Sequence, residues 1–192
     1  EENPAGLGIN WACAMEAAIR LSNILFALSL LEPKLDLKDP EIKKLQEILP
    51  AFVFDHVLYI VNNLEWPNNH LLSDLTGVLM AVSFYPHFTA GDTWEKWAQK
   101  ELVREMERQV YPDGMDFESS THYHHFAFEL FSTAWLALKR QGKKWPESYA
   151  KKLEKMAEAA SAFLKPSGEI AQFGDNDSGR LFMLNPGRRI LD

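Results

Sequence analysis

Three stretches of the sequence concentrate side chains that can bind a ligand or transfer protons. Asn68, Asn69 and His70 follow a Trp-Pro turn, residues 117–125 hold three histidines and a tyrosine, and residues 174–180 place acids and an amide between glycines. Amide and hydroxyl groups hydrogen-bond to anionic groups, whereas histidine and tyrosine serve as general acids or bases. These stretches are therefore the candidate functional clusters.

Each cluster also has a purely structural explanation. Asn69 is a suitable helix N-cap, and Ser119, Ser120 or Thr121 can cap the helix that begins near them. The histidines can equally be surface or satisfied core residues, and Tyr123 can be a half-buried helix aromatic. Residue types alone do not decide between a ligand site and ordinary capping and packing.

Metal and cofactor chemistry finds little support. His122 and His125 lie on one helical face, but no cysteine and no His-Glu-x-x-His pattern accompanies them as a zinc site would require. Residues 175–177 lack the full pattern of a calcium-binding loop. The single cysteine, Cys13, stands in an apolar stretch and is interpreted as a small buried hydrophobe rather than a nucleophile. We expect no metal and no cofactor.

Charge and hydropathy restrict the partners. The formal net charge is −7, which argues against a general nucleic-acid binder and requires that any positive potential for an anionic ligand be local to a cleft. No apolar run reaches membrane-spanning length, since the stretch from Ile24 to Leu31 is short and interrupted by Ser29. No signal peptide is recognisable at Glu1, and both ends resemble cuts in a longer chain. We expect neither a nucleic-acid nor a membrane partner.

Helical periodicity extends over most of the chain and predicts an all-α fold. Apolar spacing, prolines and capping residues predict about six long helices, near residues 10–31, 39–64 with a break or kink at Pro50, 70–84, 93–110, 119–140 and 147–164. Short strands, forming a β-hairpin-like segment, are predicted only at 169–173 and 180–184. The helices follow one another as antiparallel hairpins, which is compatible with a bundle, a solenoid or a toroid.

An ordered set of short motifs, spread over nearly the whole chain, resembles the heparinase II/III family of polysaccharide lyases. Each motif is weak alone, and the ordered set is fairly specific. The motifs are Asn10-Trp11 with Met15-Glu16 and Arg20, then Asn69-His70-Leu71-Leu72, then Tyr111-Pro112-Asp113-Gly114 with Glu118, Ser120, Tyr123 and His124, and finally Phe173-Gly174-Asp175-Asn176-Asp177.

The resemblance implies an incomplete α/α toroid over residues 1–165. Residues 166–192 would be a loop-and-strand segment leading toward a β-sandwich domain of the same parent chain. The parent protein would cleave an anionic, uronic-acid-containing polysaccharide by β-elimination and would be periplasmic or extracellular. The family usually has a further catalytic histidine beyond the helical region, so the resemblance does not imply that this stretch is active alone.

The resemblance assigns catalysis to Asn69, Tyr123 and His124. Elimination removes the C5 proton beside a carboxylate, so Asn69 is expected to stabilise the charge that develops on the carboxyl group. Tyr123 would act as acid, base or both, and His124 would hold the carboxylate or tune Tyr123. Because a tyrosine pKa of about 10 is too high for an efficient base, positive charge from His124, His70 or Arg20 is expected to lower it.

Five further residues are expected to bind substrate: His70, Arg20, Glu16, Trp66 and His122. Glu16 and Arg20 are four residues apart, so an ordinary helix salt bridge also explains them. Trp66 could stack on a sugar ring, although core packing is the usual role of a tryptophan.

Two other functions stay open at this point. The first is a non-catalytic glycan-binding or scaffolding helical domain, since a fold does not determine a function. The second is a glycoside hydrolase that uses paired carboxylates such as Glu118 and Asp175.

Overall fold

The computed structural model describes residues 4–88 and 90–184, and within these ranges the chain is helical with no β-sheet. This confirms the predicted helical class. The described part contains six α-helices: α1 (Ala14–Leu31), α2 (Pro40–Asn62), α3 (Asn69–Phe84), α4 (Gly91–Gln109), α5 (Thr121–Arg140) and α6 (Glu147–Ala162). Short 3-10 turns at Ile9–Trp11 and Glu32–Lys34 flank α1.

Capping side chains fix where the helices begin. The Asp39 carboxylate accepts a hydrogen bond from the Glu41 N–H ahead of Pro40, and the Asn68 side chain accepts one from the His70 N–H. Ser120 caps α5 by accepting from two backbone N–H groups of its first turn. Because Asn68 takes the cap at α3, the side chain of Asn69 is available for another role.

The helices are arranged in two layers, and most consecutive helices pack against each other. Helices α1, α3 and α5 lie side by side, α2 and α4 pack on α3, and α6 packs on α5 and α4. Every residue of α3 from Leu72 to Val82 is buried, as expected for a helix enclosed on all sides. The close approach of α1 to α3 requires Gly77, since a Cβ there would lie 2.7 Å from the Cβ of Ala18.

Of the break or kink expected at Pro50, the break does not occur: α2 continues through the proline from Pro40 to Asn62. A proline inside a helix removes one hydrogen bond and typically costs about 3 kcal/mol. The second half of α2 buries Val53, Val57 and Ile60 in the core, and this packing holds the helix together across the proline.

The predicted β-hairpin is also wrong for the described residues. Up to residue 184 the segment after α6 has one isolated bridge, Leu164 to Ile170, and no ladder. Its backbone instead binds side chains of α5: the Phe173 N–H donates to the Thr121 hydroxyl, and the N–H groups of Leu181 and Phe182 donate to Glu129. These side chains satisfy backbone groups that a neighbouring strand would otherwise have to pair.

Helix α1 corrects the sequence-based statement on apolar runs. The stretch Ala14–Lys34 is long and apolar enough, by length and composition, to cross a membrane, and 33% of it is buried. Its buried face, with Ala17, Ala18, Leu21 and Leu25, belongs to the hydrophobic core. A core helix meets the same criterion, so length and composition do not establish a membrane span.

Candidate active site at three helix N-termini

The first turns of α1, α3 and α5 converge on one cleft of about 290 Å³. The residues that line it come from these three helices and from the segment after α6: Met15, Glu16, Ile19, Asn69, His70, Tyr123, Phe126, Asp177, Ser178, Gly179, Arg180 and Met183. A helix N-terminus carries a partial positive charge, equivalent to roughly half an elementary charge. Three such ends contribute partial positive charge to the cleft, and Arg180 adds to it, whereas Glu16 and Asp177 of the same wall carry negative charge.

Asn69, at the start of α3, is held rigidly by Glu118. Its Nδ2 donates to both carboxylate oxygens of Glu118 at 3.0 and 2.9 Å, and its backbone N–H donates to the same carboxylate at 3.0 Å. The side chain is almost fully buried yet contributes to the cleft wall. The amide predicted from the sequence therefore lies in the cleft in a fixed orientation.

Tyr123 lies in the first turn of α5 and shares the cleft with Asn69. Burial raises the pKa of its phenol to about 12, and a hydrogen bond to Asp177 together with the charges of Asp177, Asp175 and Glu118 acts in the same direction. The sequence-based expectation was the opposite, a pKa lowered by neighbouring positive charge. The phenol is thus a protonated donor at neutral pH.

His70 lines the cleft beside Asn69 and is oriented by an acid that sequence reasoning missed. Its Nδ1 lies 2.6 Å from Oε2 of Glu65, the carboxylate that also accepts from the Met15 N–H and the Cys13 thiol. Cys13 is half-buried and polar in its contacts, which corrects its interpretation as a buried hydrophobe. Glu65 joins the starts of α1 and α3.

His124 does not reach the cleft, although the sequence made it a catalytic candidate. The ring is fully buried, Nδ1 accepts from the Asp116 N–H at 3.2 Å, and Nε2 lies 3.0 Å from the Met156 carbonyl oxygen. Burial lowers its pKa, which favours the neutral ring. Adjacent residues of a helix point about 100° apart, so Tyr123 faces the cleft while His124 faces α6.

Arg20 is likewise directed away from the cleft. Its Nε donates to Nε2 of His56 at 3.2 Å, and its guanidinium lies 5.3 Å from the centre of the Trp11 ring. Glu16, one turn earlier, does line the cleft and is exposed. The two residues share a helix, but no ion pair joins them in the described part of the chain.

The remaining predicted substrate-binding residues lie beside the cleft rather than in its wall. Trp66 is 83% exposed and belongs to the connection before α3. His122 holds the segment after α6 against α5, with Nε2 at 2.8 Å from the Gly179 carbonyl oxygen. Neither belongs to the residues that line the cleft.

Two charged residues of the cleft belong to the cluster at residues 174–180. The sequence pointed to that cluster but not to these two residues in particular. Asp177 contacts Tyr123, and Arg180 contributes the only arginine or lysine of the described cleft wall. The Gly-Asp-Asn-Asp-Ser-Gly-Arg motif at residues 174–180 indicated a polar site that contains both residues. No motif around Glu65 indicated its role, because most of its partners are distant in sequence.

The carboxylate pair considered for a hydrolase is not arranged for that reaction. Glu118 is occupied by Asn69, and neither Glu118 nor Asp175 belongs to the residues that line the cleft. The structure therefore gives no support to hydrolysis by these two acids.

Fold and cleft together define a helical protein with a polar cleft at converging helix N-termini. Residues 8–188 match the family described as Heparinase II/III N-terminus. The chain therefore belongs to the heparinase II/III family, as its motifs indicated.

Individual relatives agree with this assignment. The chain is 32% identical over 120 residues to a heparin-sulfate lyase of Pedobacter heparinus and 32% identical over 115 residues to one of Bacteroides stercoris. These matches cover 62% and 57% of this chain but only 18% and 17% of the relatives. The matched part of the chain thus spans less than a fifth of the length of these curated relatives.

Solved structures share the fold. The heparan sulfate lyase HepC of Pedobacter heparinus superposes with a TM-score of 0.68 at 28% identity, covering 91% of this chain and 28% of that one. A heparinase III gives a TM-score of 0.65 at 28% identity, covering 81% and 24%. These neighbours are α/α toroids, and the layered helices described above are consistent with part of such a ring.

Proposed function

We propose that the protein carrying this chain is a lyase that cleaves a uronic-acid-containing polysaccharide by β-elimination. The observation that carries the proposal is the convergence of Asn69, His70 and Tyr123 on one cleft at three helix N-termini. The relatives named as heparin-sulfate lyases favour a glycosaminoglycan, with heparan sulfate as the first substrate to test.

The cleft can stabilise the charge that the reaction creates. Removing the C5 proton of a uronate places negative charge on its carboxyl group, and Asn69 offers an amide donor that needs no charge of its own. Both Glu118 oxygens accept from the Asn69 Nδ2, so in this proposal one N–H bridges the carboxylate and holds the amide in place, while the other donates to the uronate carboxyl group. By analogy with an oxyanion hole, losing one such donor costs about 2.7–4 kcal/mol of transition-state stabilisation.

Tyr123 is suited to donate a proton rather than to accept one. With a pKa raised to about 12, its phenol is protonated at neutral pH and can give its proton to the departing O4 atom. The C5 proton then goes to a separate base, which the family resemblance implies to be a histidine beyond the helical region. The C4–O4 bond breaks, a C4–C5 double bond forms, and no water is consumed.

Charged groups of the cleft would position the sugar. His70, oriented by Glu65, and Arg180 are the candidates to bind carboxylate or sulfate, whereas Glu16 and Asp177 would contact hydroxyl groups. His122 supports the site by fixing the Gly179 end of the cleft wall.

A direct test follows the product. The protein is incubated with heparan sulfate, chondroitin, hyaluronan and alginate while the ultraviolet absorbance of a C4–C5 double bond is recorded. Lyase action gives rising absorbance, whereas hydrolysis gives cleavage without it. The alternative, a non-catalytic glycan-binding domain, gives binding with no product.

The Tyr123→Phe variant tests the assignment of the proton donor. It retains the ring and should leave the fold intact while lowering turnover by about 10² to 10⁴, the usual contribution of a positioned acid or base. Tyr111→Phe is the matched control, because Tyr111 is exposed and does not line the cleft. Full turnover in Tyr123→Phe would remove this residue from the mechanism.

A further inference from the structure

Beside the cleft, three side chains distant in sequence bring metal-ligating atoms together. The ligand atoms of Cys13, Glu65 and His70 all lie within 4.8 Å of one another. Cys13 precedes α1, Glu65 lies in the connection between α2 and α3, and His70 is the second residue of α3. Sγ of Cys13 is 3.0 Å from one Glu65 oxygen, and Nδ1 of His70 is 2.6 Å from the other.

The carboxylate at the centre of this group is fixed by backbone contacts. The Met15 N–H donates to its Oε1 at 2.8 Å, and the backbone N–H of Glu65 itself donates to Asp74 at 2.9 Å. Such outer contacts orient metal ligands in proteins and strengthen binding. The three ligand residues are half-buried, so a bound ion would be reached by solvent on one side.

We propose that Cys13, Glu65 and His70 form a binding site for zinc or a similar thiophilic divalent cation at the edge of the cleft. Thiolate, carboxylate and imidazole are the ligands that Zn²⁺ prefers, and three protein ligands leave a fourth position for water. One thiolate and one carboxylate together balance the charge of a divalent ion, which favours its binding in a half-buried place.

Binding has a defined proton balance. The Cys13 thiol, whose pKa is raised by burial and by Glu65, loses its proton to solvent when the ion binds sulfur. The ion takes the place of the proton on Nδ1 of His70, so a neutral His70 ring carries its proton on Nε2. Metal binding would thereby set which ring nitrogen donates in the cleft that His70 lines.

This inference concerns ion binding and does not require the proposed lyase activity. Cobalt(II) is the spectroscopic probe: titration into the purified protein should produce a sulfur-to-cobalt charge-transfer band that zinc then abolishes by displacement. The band should be absent in Cys13→Ser and unchanged in His87→Gln, which alters an exposed histidine outside the group. Absence of the band in the unaltered protein, or its persistence in Cys13→Ser, overturns the proposal.

A second measurement uses the unaltered protein and so does not depend on how a variant folds. Because Cys13 is the only cysteine of these 192 residues, the rate at which iodoacetamide alkylates the peptide that carries it, followed by mass spectrometry, reports on this thiol alone. Zinc at about ten times its Kd should slow alkylation about tenfold, since only the unoccupied fraction reacts. His70→Gln should remove most of this protection. Equal rates with and without zinc, or full protection in His70→Gln, would contradict a three-ligand site.

Discussion

At the scale of single residues, neighbours in sequence have separate tasks. Tyr123 faces the cleft, whereas His124 joins α5 to α6 by accepting from the Asp116 N–H and binding the Met156 carbonyl oxygen. Replacing His124 leaves the buried Asp116 N–H without its partner, which costs about 1–3 kcal/mol, whereas the Met156 carbonyl lies within α6 and keeps its place in the helix. His124 is therefore a structural residue that supports the start of α5.

We expect His124→Ala to lower the free energy of unfolding by about 1–3 kcal/mol, as measured by urea denaturation. The control is His87→Ala, an exposed histidine whose loss should change stability by less than about 0.5 kcal/mol. If His124→Ala had normal stability but lost turnover, His124 would instead have a role in catalysis.

At the scale of helices, the approach of α1 to α3 places two of the three N-termini at the cleft. Gly77 allows this approach, because an added Cβ would lie 2.7 Å from Cβ and 2.9 Å from Cα of Ala18. Gly77→Ala gains up to about 1 kcal/mol of helix propensity but forces the two helices apart. The added Cβ clashes with the backbone of α1 as well as with the Ala18 side chain, so the steric cost should exceed the gain in helix propensity.

We expect Gly77→Ala to destabilise the protein by about 1–3 kcal/mol in thermal or urea unfolding. The double variant Ala18→Gly with Gly77→Ala removes the clash between the two side chains but keeps the one with the backbone of α1, so stability should recover only in part. Unchanged or increased stability of Gly77→Ala would show that the helices can separate without cost.

At the scale of the whole molecule, buried acids make stability depend on pH. Burial raises the pKa of Asp74 to about 8 and that of Asp116 to about 7. The folded state then binds more protons than the unfolded chain above the ordinary aspartate pKa of 3.8, so each acid lowers stability as pH rises toward its folded pKa. His56, His124 and His125 have pKa values lowered from 6.5 and act oppositely, but only below that pH.

Between about pH 6.5 and 8 these histidines are mostly neutral in both states, and we expect stability to decline because of the acids. The slope is at most about 1.4 kcal/mol per pH unit for each group, measured as the urea unfolding free energy at several pH values. Above about pH 7 the decline belongs mainly to Asp74, so Asp74→Asn should flatten it. A stability that rises over this interval would contradict the assignment.

The sequence by itself determined the helices, their starts and the family. Asp39 with Pro40, and likewise Ser120, act within one turn of chain, so their effects on helix starts do not depend on tertiary contacts. The motifs around Asn69 and Tyr123 were likewise recognisable, and both residues reach the cleft. The domain boundary at residue 165, the β-sandwich and export remain predictions.

Only the tertiary structure decided which polar side chains meet. A helical motif does not fix which way each side chain faces, so His124 and Arg20 could not be separated from Tyr123 and Glu16 by sequence. Backbone of the segment after α6 pairs with side chains of α5, not with a strand, and no local pattern shows this. Cys13 and Glu65 are 52 residues apart, and packing of α1 against α3 brings them together.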